Sequence, residues 1–205
     1  MRKWRARLFL NFNKIEKETP PEKESHSLSF APDLYLSNIM AASINTSLAK
    51  THTLYFHRQE ETKWNMASFT ACPPSATVAD FLKLTEALKL DTLSDGMFFF
   101  FRDPIPPLWE NCNNIYGGCY SFKVVKREAG RAFSDYAIAL MLDRITVDPD
   151  NKINGISNSP KKTHNIIKVW NSDSKTFSSP ADLLKLIPDL KMEEIIYTPF
   201  TEKKM

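Results

Sequence analysis

Apolar and polar positions along the chain follow two periods, which divide most of it into strands and helices. Thr51 to His57 reads as a strand, followed by a polar turn and a short strand around Trp64. Thr77 and Asp80 form a capping-box pattern, and Val78, Phe81, Leu84 and Leu88 continue it as a helical stripe. Met97 to Arg102 is a strand too apolar to face water, and Tyr120 to Val125 alternates with period two. Phe133, Ala137 and Leu140 mark a second helix, whose apolar face Ile138 and Met141 widen. Ile153 to Asn158 and Asn165 to Asn171 are strands joined by a basic turn. Ser179 caps a third predicted helix, with Pro180 at its first position and an end before Pro188. Lys191 to Tyr197 is the last strand. About seven strands with three interspersed helices and no internal repeat define an α+β protein.

The first quarter of the chain is different. Lys14 to Ser29 is dominated by Lys, Glu, Ser and Pro, too few apolar groups to offset the entropy of ordering. Residues 1–30 are therefore expected to be a flexible charged tail, and the more apolar residues 31–48 a loosely docked segment. One domain is expected over 49–200, with a short tail over 201–205. The whole chain of 205 residues is 42% apolar and 25% charged, a globular composition. With 27 basic and 24 acidic residues the net charge is only +3, too small to define a partner by itself.

Composition also narrows the chemistry. There are five glycines where an average chain of this size carries roughly 14. Neither GxGxxG nor GxxxxGK[ST] occurs, which excludes a Rossmann dinucleotide site and a P-loop at motif level. No apolar run approaches the ~18 residues of a membrane span. The apolar stretch behind the basic N-terminus is too short for a signal peptide. Cys72, Cys112 and Cys119 are odd in number and lack CxxC spacing, as expected of free thiols in a reducing, cytoplasmic setting. Cys119 behind Gly117 and Gly118 could pair with His52, His57 or His164 as a nucleophile, but nothing in the sequence brings them together. His52 and His57 on one strand point to opposite faces, so they make a poor metal pair. No cofactor or metal is expected.

Aromatic residues make up 12% of the chain, and three tryptophans stand among polar neighbours: Trp64, Trp109 and Trp170. A strand Trp is usually core. Trp109 is different, because Pro104, Pro106 and Pro107 stiffen the backbone before it and Glu110 follows. A tryptophan on a rigid polar loop is suited to stack on a base, a contact worth about 1–3 kcal/mol.

The segment Ile105-Pro106-Pro107-Leu108-Trp109-Glu110-Asn111, continuing to Gly117-Gly118, resembles the eukaryotic translation initiation factor 4E family of mRNA cap-binding proteins. Lys63-Trp64-Asn65 resembles that family's first cap-stacking Trp, and Val78-Ala79-Asp80-Phe81 the start of its first helix. Gly155, fifteen residues before Trp170, has the family spacing. The likeness covers roughly residues 48–200. It implies a strongly curved antiparallel β-sheet with three helices on its convex face and the 7-methylguanosine cap on the concave side. Trp64 and Trp109 would sandwich the methylated base, and Glu110 would accept from guanine N1 and its amine. The Trp109 backbone N–H would reach O6, and Trp170 would touch the N7-methyl group. Lys161, with Lys162 and His164, would hold the phosphates. A 4G-type scaffold or regulator would present a helix to the convex face at Val78 and Leu82. N7 methylation makes the ring a cation, so each flanking indole gains cation–π attraction on the order of 2 kcal/mol.

The chain departs from the family pattern at several places. The basic residue usual four positions before the third Trp is Ile166, and the partner-docking Trp of the first helix is Leu82. Tyr55 and Tyr120 stand where the family tends to have Trp. These departures imply a divergent paralogue. They keep open a cap-binding repressor or storage factor beside an initiation factor. A nucleotide-handling enzyme using Cys119 or Glu110 is the reading from another class.

Overall fold

The computed structural model describes residues 44–184, 186 and 190–201. The expected tail over 1–30 and most of the 31–48 segment lie outside them. Seven strands form one antiparallel sheet: β1 (His52–His57), β2 (Phe69–Ala71), β3 (Met97–Arg102), β4 (Gly118–Val125), β5 (Ile153–Pro160), β6 (His164–Asn171) and β7 (Ile196–Pro199). Their order in space is β2-β1-β3-β5-β6-β4-β7. Among the described residues three helices accompany them: α1 (Val78–Leu88), α2 (Leu90–Asp95) and α3 (Lys126–Met141). The curved sheet and its helices match the architecture expected from the sequence.

β3 explains the layering. Its side chains alternate in direction and both sets are apolar, so both faces of the sheet must be covered. Phe98 and Phe100 join Leu54, Tyr120, Phe122, Ile156, Ile167 and Val169 under the helices, where they meet Phe81, Phe133 and Leu140. The Phe81 and Phe100 rings lie 4.7 Å apart. Phe99 and Phe101 point the other way and form a smaller cluster with Phe69, Cys119, Trp170 and Phe200. Among the described residues, loops and not helices flank that second face.

Helix α1 starts as its sequence requires: Thr77 Oγ1 accepts from the Asp80 N–H at 3.1 Å, and the Asp80 carboxylate accepts from the Thr77 N–H at 2.9 Å. Four elements differ from expectation. Trp64 lies in the loop after β1, and the short strand begins only at Phe69. Helix α2 was not foreseen. It follows Lys89, whose φ of 66° breaks α1, and buried asparagines hold it: Asn158 Nδ2 donates to the Leu93 and Gly96 carbonyls and Asn165 Nδ2 to that of Ser94. The segment after Ser179 is not the third helix. Ser179 does cap Pro180–Asp182, but as one 3-10 turn, after which Leu183 bridges Thr146 and the Leu184 N–H donates to the Ile145 carbonyl. Pairing with a neighbouring segment takes the backbone groups that a helix would need. The last strand starts at Ile196, later than expected, after a 3-10 turn over Met192–Glu194.

His52 is buried against Phe100, ring centroids 5.4 Å apart, and neither ring nitrogen has a hydrogen-bond partner. Burial, reinforced by the nearby Arg102 charge, lowers its pKa to about 4. Between that value and the unfolded 6.5 the unfolded chain binds the proton more, so stability is lost as pH falls through this window. Asp135 acts in the opposite direction: burial, against the pull of Arg131, raises its carboxyl to about 6, so its penalty is relieved as pH falls below that value. Subtracting the stability of a His52→Phe variant from that of the wild type isolates the histidine. Urea unfolding at pH 7 and pH 4 should find the difference shifted by about 3 kcal/mol in the variant's favour at the lower pH. A difference that does not change with pH would contradict the neutral buried imidazole.

Candidate cap-binding site

The second face of the sheet carries the site. Trp64 lies flat on His57, ring centroids 4.1 Å apart and planes 7° from parallel, with Phe69 and Phe99 against its edge. His57 is fully buried, and its Nε2 sits 3.1 Å from the Lys63 carbonyl, which ties the base of the loop to β1. One indole face is thus backed by the imidazole, while Trp64 as a whole remains 48% exposed. Trp109, half-buried, packs on the same aromatic cluster from the other loop. Phe99 touches both Trp64 and Trp170 edge-on, at 6.2 and 6.5 Å, so the three tryptophans share one floor. Trp170 is only 7% exposed and donates from Nε1 to Ser157 Oγ at 3.1 Å.

The Trp109 loop is held by asparagines. Asp103 accepts from the Thr51 and Thr53 hydroxyls at 2.7 and 2.8 Å, fixing the point where the chain leaves β3. Buried Asn114 donates to the Pro106 and Leu108 carbonyls at 3.1 and 2.8 Å. Asn154 on β5 donates to Asn114 Oδ1 and to the Asn113 carbonyl at 2.9 and 2.7 Å. Two side chains therefore replace the ladder bonds that a 15-residue connection between β3 and β4 lacks. Asn114 and Asn154 escaped the sequence reading. The only hint was a pair of polar residues beside expected apolar positions. Glycine is needed where the loop rejoins the sheet, because a Cβ at Gly117 would run into the Asn171 carbonyl. At Gly155 a Cβ would strike the Phe101 ring in the floor.

Glu110 is exposed in the turn after Trp109 and pairs with no cation among the described residues. Lys161 and Lys162 are exposed at the β5–β6 hairpin, and half-buried His164 follows them. Ile166 is half-buried on the floor side of β6. The two candidate back-face residues separate: Leu82 is 38% exposed, whereas Val78, at 5%, belongs to the core under the helices. As the first residue of α1, Val78 turns inward with Phe81 and offers a partner little surface.

The nucleophile constellation does not assemble. Cys119 shares the floor with Trp170, and its recorded polar neighbour is the Ser121 hydroxyl at 3.6 Å. His52 lies on the opposite face of the sheet. His57 is four strands away, about 19 Å along the sheet. His164 pairs with Val125, six residues along β4 and roughly 20 Å from Cys119. Among the described residues no group of three His, Cys, Asp or Glu could hold a metal.

The antiparallel sheet thus carries helices on one side and, on the other, an aromatic floor between two tryptophan-bearing loops. The model of the eukaryotic initiation factor 4E family matches residues 47–203, and the chain belongs to that family. It is 37% identical over 75 residues to the eukaryotic translation initiation factor NCBP of Arabidopsis thaliana, covering 37% of this chain and 33% of that protein. To the NCBP of Oryza sativa subsp. japonica it is 28% identical over 108 residues, 51% of this chain and 46% of that one. The chain thus spans between a third and a half of the length of the curated relatives it matches. Caenorhabditis elegans eIF4E-3, solved with the 4E-binding protein Mextli, superposes with a TM-score of 0.57 at 18% identity, over 77% of this chain and 94% of that one. Ascaris suum eIF4E-3 bound to the m7G cap gives 0.53 at 18% identity, over 63% and 75%. At that identity the two structures establish a common fold.

Replacing Asn154 by Ala would leave the Asn114 carbonyl oxygen and the Asn113 carbonyl without their donor. The expected cost is about 1–3 kcal/mol of stability, read from urea unfolding. Amide exchange should accelerate over residues 104–116 and stay unchanged in α3. Uniform acceleration across the domain would show that the asparagine supports the core and not the loop.

Proposed function

We propose that this protein binds the 7-methylguanosine cap of mRNA between Trp64 and Trp109 and delivers capped mRNA to translation initiation as a cytoplasmic binding factor, not an enzyme. The observation that carries the reading is the pair of unsealed tryptophans on one aromatic floor, within a chain of the 4E family. Trp64 has one face backed by His57, so a base can enter only from the other side, the arrangement a one-sided stacking platform needs. The methylated guanine ring is cationic and gains on the order of 2 kcal/mol from each desolvated indole. Glu110, exposed and uncommitted to a lysine or arginine, supplies an acceptor pair for guanine N1 and its amine, a discrimination of about 1–3 kcal/mol. The Trp109 N–H has no acceptor among the described residues and is available to O6. Trp170, mostly buried, presents an edge to the N7-methyl group.

The back face supports a partner of the 4G type, because Leu82 on α1 leaves an apolar side chain in solvent. The fold neighbour from Caenorhabditis elegans is solved with the 4E-binding protein Mextli. Leu82 in place of an indole removes a hydrogen-bond donor from that surface, which favours as second reading a cap-binding repressor that holds mRNA without engaging the scaffold.

Tryptophan fluorescence tests the main reading. Quenching should be strong with 7-methyl-GTP and weak with GTP; equal quenching would remove the cation argument. Trp109→Ala should abolish most retention on a cap resin while its thermal melt stays close to wild type. Glu110→Gln should keep stacking but lower the preference for guanine over adenine analogues by about 1–3 kcal/mol. Released product from a capped dinucleotide would point to an enzyme instead.

A further inference from the structure

The proposed phosphate site has a gap at Ile166, and the strand register points to what fills it. On β6, Ile167 and Val169 face the helices, so Ile166, Lys168 and Trp170 face the floor side. On β4, Phe122 and Val124 lie under the helices, so Ser121 and Lys123 share the face of Cys119. Lys168 pairs with Ser121 on one side and Ser157 on the other, and Lys123 stands opposite Ile166. Lys123 and Lys168 thus lie on adjacent rows of one face, diagonal neighbours about 7–8 Å apart at the backbone.

The floor side of β4, β5 and β6 carries no carboxylate, and Lys123 and Lys168 form no ion pair among the described residues. Lys168 is half-buried and stands in register between Ser121 and Ser157, while Lys123 is exposed. Distance along the strands separates these lysines from the hairpin. Lys168 lies two residues from Trp170, about 7 Å, whereas the hairpin begins past Asn165, five residues or about 17 Å away. An anion attached to a base beside Trp170 meets the strand lysines first.

We infer that Lys168, with Lys123, is the polyphosphate clamp of this protein, doing from two adjacent strands what the residue at Ile166 cannot. The inference rests on the cap-binding reading above and names the residues that reach beyond the base. Ser121, half-buried, adds a hydroxyl beside Lys168. Two ammonium groups on rigid strands hold the anion with less loss of freedom than lysines at a hairpin tip.

The test compares 7-methylguanosine nucleoside with 7-methyl-GTP, titrated by fluorescence against three proteins. These are the wild type, a Lys123→Gln/Lys168→Gln variant and a Lys161→Gln/Lys162→Gln variant, each shown to be folded by its thermal melt. The strand variant should lose about tenfold in 7-methyl-GTP affinity, keep nucleoside binding, and show a flatter dependence on salt. The hairpin variant should lose less than the strand variant. If the strand variant binds 7-methyl-GTP as the wild type does, or if the hairpin variant loses more, the clamp is overturned while the cap reading stands. A wild type that binds neither ligand overturns both.

Discussion

The structure depends on a strand that has no polar side. Residues 97–101 are apolar on both faces, so β3 must sit inside the sheet and be covered above and below. Helices α1 and α3 cover one face with a continuous core. Among the described residues the other face has only loops, and a loop can cover an aromatic surface only with large side chains set down on it. Trp64 and Trp109 do this incompletely. The same shortage of covering mass that leaves this face poorly protected leaves it open to a planar ligand.

Loops that carry such side chains need a rigid mount, and here asparagine supplies it. Asn114 and Asn154 gather the carbonyls of the Trp109 loop, Asn158 and Asn165 hold α2, and Asn171 takes bonds at the end of β6, where it accepts from the Gly118 N–H and the Tyr197 hydroxyl. Each amide offers donors and an acceptor in one plane, which suits places where backbone groups would otherwise be buried unpaired. Polar burial is thereby concentrated at the joints between sheet, loop and helix. The core under the helices is left to hydrocarbon and ring contacts.

Several elements were legible in the sequence because one local signal decides them. The capping box at Thr77 and Asp80 needs only four residues to announce a helix, and α1 starts there. The alternation of Tyr120 to Val125 leaves one register that buries the aromatic side, and β4 takes it. The Pro-Trp-Glu segment shows its loop because proline excludes the alternatives. Where two local solutions compete, the reading failed. Ser179 and Pro180 are good helix starters, yet Leu183 and Leu184 bond to Ile145 and Thr146. Helix α2 has weak propensity and forms where Asn158 and Asn165 wait for its carbonyls. Val78 carries a helical stripe and a proposed partner contact in the same side chain, and burial chose the stripe.

The sequence alone determined that this chain would build a two-faced sheet with helices and would place tryptophans on stiff, polar loops, because periodicity and proline act over a few residues. It also carried the family likeness, which is a matter of order and spacing. Only the tertiary structure decided that His57 backs Trp64, that Asn154 reaches across 40 residues to hold the other loop, and that Lys123 and Lys168 share one face. Those relations join strands to loops and to other strands, and which of them meet is set by the closing of the whole sheet, which no short stretch of sequence contains.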